Sequence, residues 1–146
     1  MNSRPLIDTR EAYDLCRKHG IEPLLDKRFP VDVRLRVEIQ RELFGTGNHE
    51  ENNVKFYRWV WAHKRHVCEE CLKPLPEYSA TYISHIESRG NAPEWAYDPR
   101  NTNILCWKCH GKWENGVRFD MRIYRGNLIT KLTLREEYET MQVRRG

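Results

Sequence analysis

No stretch of this 146-residue chain approaches the ~20 consecutive apolar residues that a helix needs to cross a bilayer. The N-terminal MNSRPLIDTR also lacks an apolar signal core, so the protein is expected to stay where it is made, in a reducing cytoplasm. Internal repeats and low-complexity tracts are missing, which excludes a solenoid or a repeat-built scaffold. Apolar residues make up only 39% of the chain and mean hydropathy is −0.83, which fits one domain with extensions around a modest core. The net charge of +4 is too small to identify a partner by itself, but it is unevenly spread. Residues 1–67 carry 13 basic and 10 acidic groups, residues 68–114 carry 5 and 7, and residues 115–146 carry 7 and 4. Basic flanks around a slightly acidic centre suit phosphate contact outside and a cation inside, although an ordinary solvated surface looks the same.

The chain does contain cysteine, and in a pattern. Cys68/Cys71 and Cys106/Cys109 are two C-x-x-C pairs separated by 34 residues. A pair with that spacing turns both sulfurs towards one metal, and two pairs complete a tetrahedral Zn²⁺ site. A reducing compartment favours such a site over disulfides. The fifth cysteine, Cys16, is left for core packing.

Around the cysteines lies a second group of polar residues. His85 falls in YISHIES, where apolar and polar residues alternate as in a strand that runs into a loop. Asn101 follows, and His110 stands directly after the last cysteine. If CWKCHGKWE is helical, His110 and Glu114 share a face and could hold a divalent cation near His85. His85, Asn101 and His110, with the string SHI…SRG…DP-x-N…LC-x-x-CH…WE, resemble the HNH (ββα-metal) endonucleases in their four-cysteine zinc form. The string is similar to HNH proteins encoded by phages and prophages. The resemblance covers Cys68 to Glu114. It implies His85 as general base, Asn101 as the group that orients the base or its loop, and His110 as a ligand of the catalytic ion. Many family members place Asp or His immediately before the first histidine as a further ligand, whereas this chain has Ser84. Glu114 is then expected to supply the missing ligand, an arrangement similar to that of colicin nucleases.

Before this stretch, Asp8-Thr9-Arg10-Glu11 reads as a capping box for a helix that Gly20 stops. Residues 31–44 fit a strand by the alternation of Val31, Val33, Leu35, Val37 and Ile39. They also fit a helix by Val31, Leu35, Ile39 and Leu43, with Gly45 to close it, and the length of the segment favours the helix. GTGNHEENN reads as a polar loop, with Asn53 capping an aromatic helix VKFYRWVWAHKRH. That helix is expected to pack on the zinc module. The alternative is that its aromatics and Lys55, Arg58, Lys64 and Arg65 meet bases and phosphates. His63 and His66 are surface or packing residues, since four cysteines satisfy a zinc.

In the loop after His85, Arg89 and Arg100 either contact phosphate near the scissile bond or pair with Glu87 or Asp98. Beyond Glu114 the chain could continue as a helix or turn at Arg125-Gly126-Asn127 into a hairpin. Thr133-Leu134-Arg135-Glu136 reads as a second capping box, predicting helix over 134–142.

These readings add up to an α+β fold, a ββα-metal module stapled by a four-cysteine zinc site, with helical N- and C-terminal extensions. The expected division is 1–53, a mostly helical extension; 54–116, the zinc module with its leading aromatic helix; and 117–146, a C-terminal extension. By resemblance the protein is a metal-dependent DNA endonuclease, with structural Zn²⁺ and catalytic Mg²⁺ or another divalent ion. Its partner is DNA, with no membrane, and its place is the cytoplasm, that of a bacterial host if phage-encoded. The alternatives are a zinc-stapled DNA-binding module weakened by Ser84, and a structural zinc protein that engages protein partners.

Overall fold

The structure, a computed structural model, describes residues 6–145. Residues 1–5 of the N-terminal stretch read as lacking a signal core lie outside the described residues. No helix is long and apolar enough to cross a membrane among the described residues.

The first helix, α1, is Arg10–Lys18. Its cap is Thr9, whose hydroxyl accepts from the Ala12 amide, one residue later than the Asp8 cap expected. Gly20 ends it at φ +78°, a conformation that costs other residues dearly. Helix α2 is Val33–Phe44, closed by Gly45 at φ +96°. Helix therefore wins over strand in this segment, because its residues bury in three directions at once. Phe44 joins the core of the zinc module, Leu35 and Ile39 pack with Tyr13 and Leu24, and Val33 packs with Leu134 and Tyr138. A strand has two faces and could not serve three clusters. Val31 stays outside the helix in a parallel bridge with Ile7. Cys16 lies half-buried against the Tyr13 cluster, in the packing role expected of it.

Helix α3 is His49–His63 and begins earlier than expected. Asn48, not Asn53, caps it, its side chain accepting from the Glu50 amide. Most of GTGNHEENN is thus helical, and Asn53 lies within the first turns of α3. Phe56 and Val60 are fully buried with Cys68, Ile83, Ile104 and Trp113, so this helix packs against the zinc module. His63 and His66 are exposed and stack on Trp59 and Trp61, packing roles as expected.

The sheet is small: β1, Ile83–His85, pairs antiparallel with β2, Thr102–Ile104, with Ser84 opposite Asn103. The segment before β1 is a 3-10 turn over Ala80–Tyr82, so the strand is shorter than SATYISHI suggests. Helix α4, Trp107–Asn115, follows β2 directly and completes a ββα unit. Helix α5 runs unbroken over Tyr124–Arg145. No hairpin turns at Gly126, and Thr133 starts no second helix; its hydroxyl donates to the Ile129 carbonyl within α5. Asn127, Leu134, Tyr138 and Met141 form the buried stripe of α5.

Candidate active site and metal centre

The two knuckles converge. The four sulfurs of Cys68, Cys71, Cys106 and Cys109 all lie within 4.8 Å of one another. Four thiolates at ~2.3 Å around one tetrahedral ion sit about 3.8 Å apart, and Cys71 Sγ to Cys106 Sγ is 3.8 Å. The donor set and its spacing fit Zn²⁺. The first knuckle is turned by Leu72 in the left-handed region at φ +65°, and the Cys71 amide donates to Cys68 Sγ. Burial raises the Cys68 thiol, but the amides of Cys71, Cys106 and Glu70 outweigh it and bring it down to about 7. Burial pushes the Cys109 thiol well up. Thiols of such different acidity become four thiolates together only when a cation compensates them.

His85 projects from β1 towards α3. Its ring stacks on Phe56 at 5.7 Å and meets the edge of Tyr57 at 6.1 Å. Nε2 lies 2.9 Å from the Ala96 carbonyl. A carbonyl only accepts, so Nε2 carries the proton and Nδ1 keeps its lone pair. No group among the described residues hydrogen-bonds that nitrogen. Burial lowers the His85 pKa below the usual 6.5; the Ala96 bond opposes this, while Arg89 and His110 add to it. The imidazole is therefore neutral at neutral pH, the form that can take a proton.

Asn101 is fully buried behind the base. Its amide nitrogen donates to the Glu87 carbonyl at 3.0 Å and its oxygen accepts the Glu87 amide at 2.9 Å. Its own carbonyl accepts from the Ile86 amide. Asn101 thus clamps the backbone just after His85 and does not touch the ring. Lys131 of α5 pairs with the Glu87 carboxylate at 2.8 Å and holds the same loop from outside.

His110 and Glu114 do share a face of α4. His110 Nδ1 donates to the Thr81 carbonyl at 2.6 Å, which leaves the Nε2 lone pair facing Glu114 Oε1 at 2.9 Å. Two acceptors at that distance require a proton or a cation between them. The pair offers one nitrogen and one carboxylate, donors that suit a divalent ion. Both groups act electrostatically on His85. Ser84 is fully buried, and its hydroxyl has no hydrogen-bond partner among the described residues.

The two candidate arginines have opposite surroundings. Arg100 is held by Asp98 at 2.8 Å and by Glu137 of α5 at 3.0 Å, the pairing alternative left open by the sequence. Arg89 makes no ion pair among the described residues. It is half-buried, its Nη1 donating to Asn53 Oδ1 at 3.0 Å, and its charge reaches His85. Sequence reasoning missed Arg36 and named Asp98 only as a possible partner of Arg89 or Arg100; both are buried. Asp98 accepts from Arg36, Arg100 and the Tyr138 hydroxyl, and caps the turn that carries Asn101. Arginines 36 and 100 together hold its carboxyl well below the usual range against the effect of burial.

Residues 68–116 match the family model for HNH endonuclease, about a third of the chain. The match contains both knuckles, His85, Asn101, His110 and Glu114, and leaves α1, α2, α3 and α5 outside it. No curated protein and no solved structure matches the chain. The segment is thus similar to HNH endonuclease domains; it carries a four-cysteine cluster able to hold a metal, and flanking helices pack on it.

Proposed function

We propose that the protein hydrolyses phosphodiester bonds in DNA, with His85 as general base. The observation that carries this reading is the His85 ring: Nε2–H fixed on Ala96 O, Nδ1 left with a free lone pair, and a lowered pKa that keeps it neutral. Nδ1 takes a proton from a water as that water attacks phosphorus, a role worth about 10²–10⁴-fold in rate. The Ala96 carbonyl stabilises the imidazolium that forms and stops the ring from turning. Asn101 keeps the loop, and hence the ring, in place. Arg89 faces the phosphate and Arg100 serves the fold. His110 Nε2 and Glu114 Oε1 would hold a divalent ion, which would supply charge neutralisation for the phosphate and the leaving 3′ oxygen. The products carry 5′-phosphate and 3′-hydroxyl ends. Zinc held by the four cysteines would do no chemistry; it would tie the 68–71 knuckle to the end of β2 and the start of α4.

Supercoiled plasmid should be relaxed by the protein with Mg²⁺ or a transition-metal ion, and not in a chelator too weak to strip the zinc. Glu114→Gln should raise the divalent-ion concentration at half-maximal nicking about tenfold or more, with zinc content unchanged. An unchanged metal titration would remove Glu114 from the site. A parent protein that binds DNA but nicks with no ion would favour the weakened DNA-binding module, a reading motivated by the non-anionic Ser84.

A further inference from the structure

Most half-buried cations in this fold come with carboxylates; among the described residues Arg89 and Arg118 do not, and Arg118 is taken up by Trp113, donating to its carbonyl and lying over its ring. Arg100 has two acidic partners and Arg36 has Asp98, yet Arg89 is tethered by an amide oxygen alone. The tether is built with care. Asn53 Oδ1 also accepts from the Tyr97 hydroxyl at 2.9 Å. That hydroxyl gives its one proton to Asn53, so at its 3.2 Å contact with His49 Nδ1 it accepts. Tyr97 adjoins Ala96, whose carbonyl holds His85, and packs edge-on against Phe56, on which His85 stacks. Asn53 therefore joins three things: helix α3, the segment that fixes the base, and the guanidinium beside the base. None of its bonds changes the charge of Arg89.

We infer that Asn53 is a positioning residue that aims Arg89 at the substrate phosphate while leaving its positive charge unspent. An aspartate at this position would hold the same geometry and neutralise the cation; the amide holds it and leaves the charge for the substrate. Asn53 lies outside the HNH match, on a helix that the family domain does not include. The inference rests on the nuclease reading for its consequence in turnover but not for its consequence in binding.

Asn53→Asp separates position from charge, because it is isosteric and Tyr97 can still donate to it. With zinc content and melting temperature at parental values, it should weaken binding to duplex DNA, measured without divalent ion. The slope of log affinity against log salt should fall by about 1, the share of one phosphate contact. In nicking, kcat should fall roughly tenfold or more. The acid limb of the pH profile should move up, as the lowering field of Arg89 on His85 is cancelled. Arg89→Ala should give the same loss of slope, and Asn53→Asp placed on Arg89→Ala should add little. Parental affinity, slope and kcat in Asn53→Asp would overturn the inference. So would a full further loss in the Arg89→Ala background, since Asn53 would then act without Arg89. If the parent does not nick at all, the nuclease reading fails, while the salt slopes still decide the role of Asn53.

Discussion

Protein prepared without chelator should contain about one zinc per chain, and stripping it should unfold residues 68–116. Structural zinc sites bind with roughly 10–16 kcal/mol, comparable to the roughly 5–15 kcal/mol by which whole domains are stable. Nothing else among the described contacts could replace that. Cys68, Cys106 and Cys109 are buried in the same cluster as Phe56, Val60, Ile104 and Trp113, so the sulfurs are part of the core. Without a cation, burial drives the Cys109 thiol towards its neutral form, and the knuckles lose their reason to meet. The remaining hydrogen-bonded tie between them among the described residues is Glu69, whose amide donates to the Ile104 carbonyl and whose carboxylate accepts from the Ile104 amide and the Asn103 side chain. Three hydrogen bonds contribute about 1 kcal/mol each, far short of the metal. Circular dichroism with a strong chelator should show loss of structure together with loss of zinc. Elemental analysis without zinc, or a fold unchanged after stripping, would contradict the staple.

Asp98→Asn should be the costliest single substitution away from the cysteines, about 3–5 kcal/mol. Arg36 is 1% exposed, and burial pushes its guanidinium pKa down, yet arginine does not give up its proton in a folded protein. Removing the Asp98 charge leaves that cation buried with only the carbonyls of Leu24 and Pro23. The same change also removes the Arg100 ion pair at the turn that carries Asn101. Urea unfolding should show a lower midpoint with the same slope. The pH dependence follows from the lowered pKa of Asp98. Its contribution is complete above the ordinary carboxylate range near 3.8 and is lost as pH falls towards its folded value. The variant should therefore lose less stability than the parent on acidification below about pH 4.

Much of the site was legible because its chemistry demands fixed spacing. Two C-x-x-C pairs can be read without knowing what lies between them, and His110 and Glu114 follow from one helical turn. What the sequence hid are residues whose roles depend on distant partners. Arg36 and Asp98 are 62 positions apart and gain meaning only when α2, the 96–101 segment and α5 meet. Asn127 fitted either the tip of a hairpin turn or a continuing helix. In the fold its amide exchanges hydrogen bonds with Asn103 of β2, and that buried pairing favours one continuous helix. Asn53 was read as a cap because it precedes an apolar run. Asn48 takes that role, since the polar stretch before the run is itself helical, and Asn53 is left for Arg89 and Tyr97. Thr133 had the right neighbours for a capping box, but a helix already running through it left its hydroxyl only the carbonyl four residues back. In each case local pattern was correct about residue chemistry and wrong about which partner would use it.

The central claim is that His85 does the chemistry, and one comparison tests it most directly. Parent and His85→Ala, matched in zinc content, are compared for DNA affinity and for plasmid nicking across pH. Parent nicking should show an acid limb with its midpoint below 6.5, the usual histidine value from which His85 is lowered. His85→Ala should bind DNA with nearly parental affinity and nick at least about 10²-fold more slowly, because a base contributes to the transition state and little to the bound ground state. Nicking by His85→Ala at the parental rate would contradict the account.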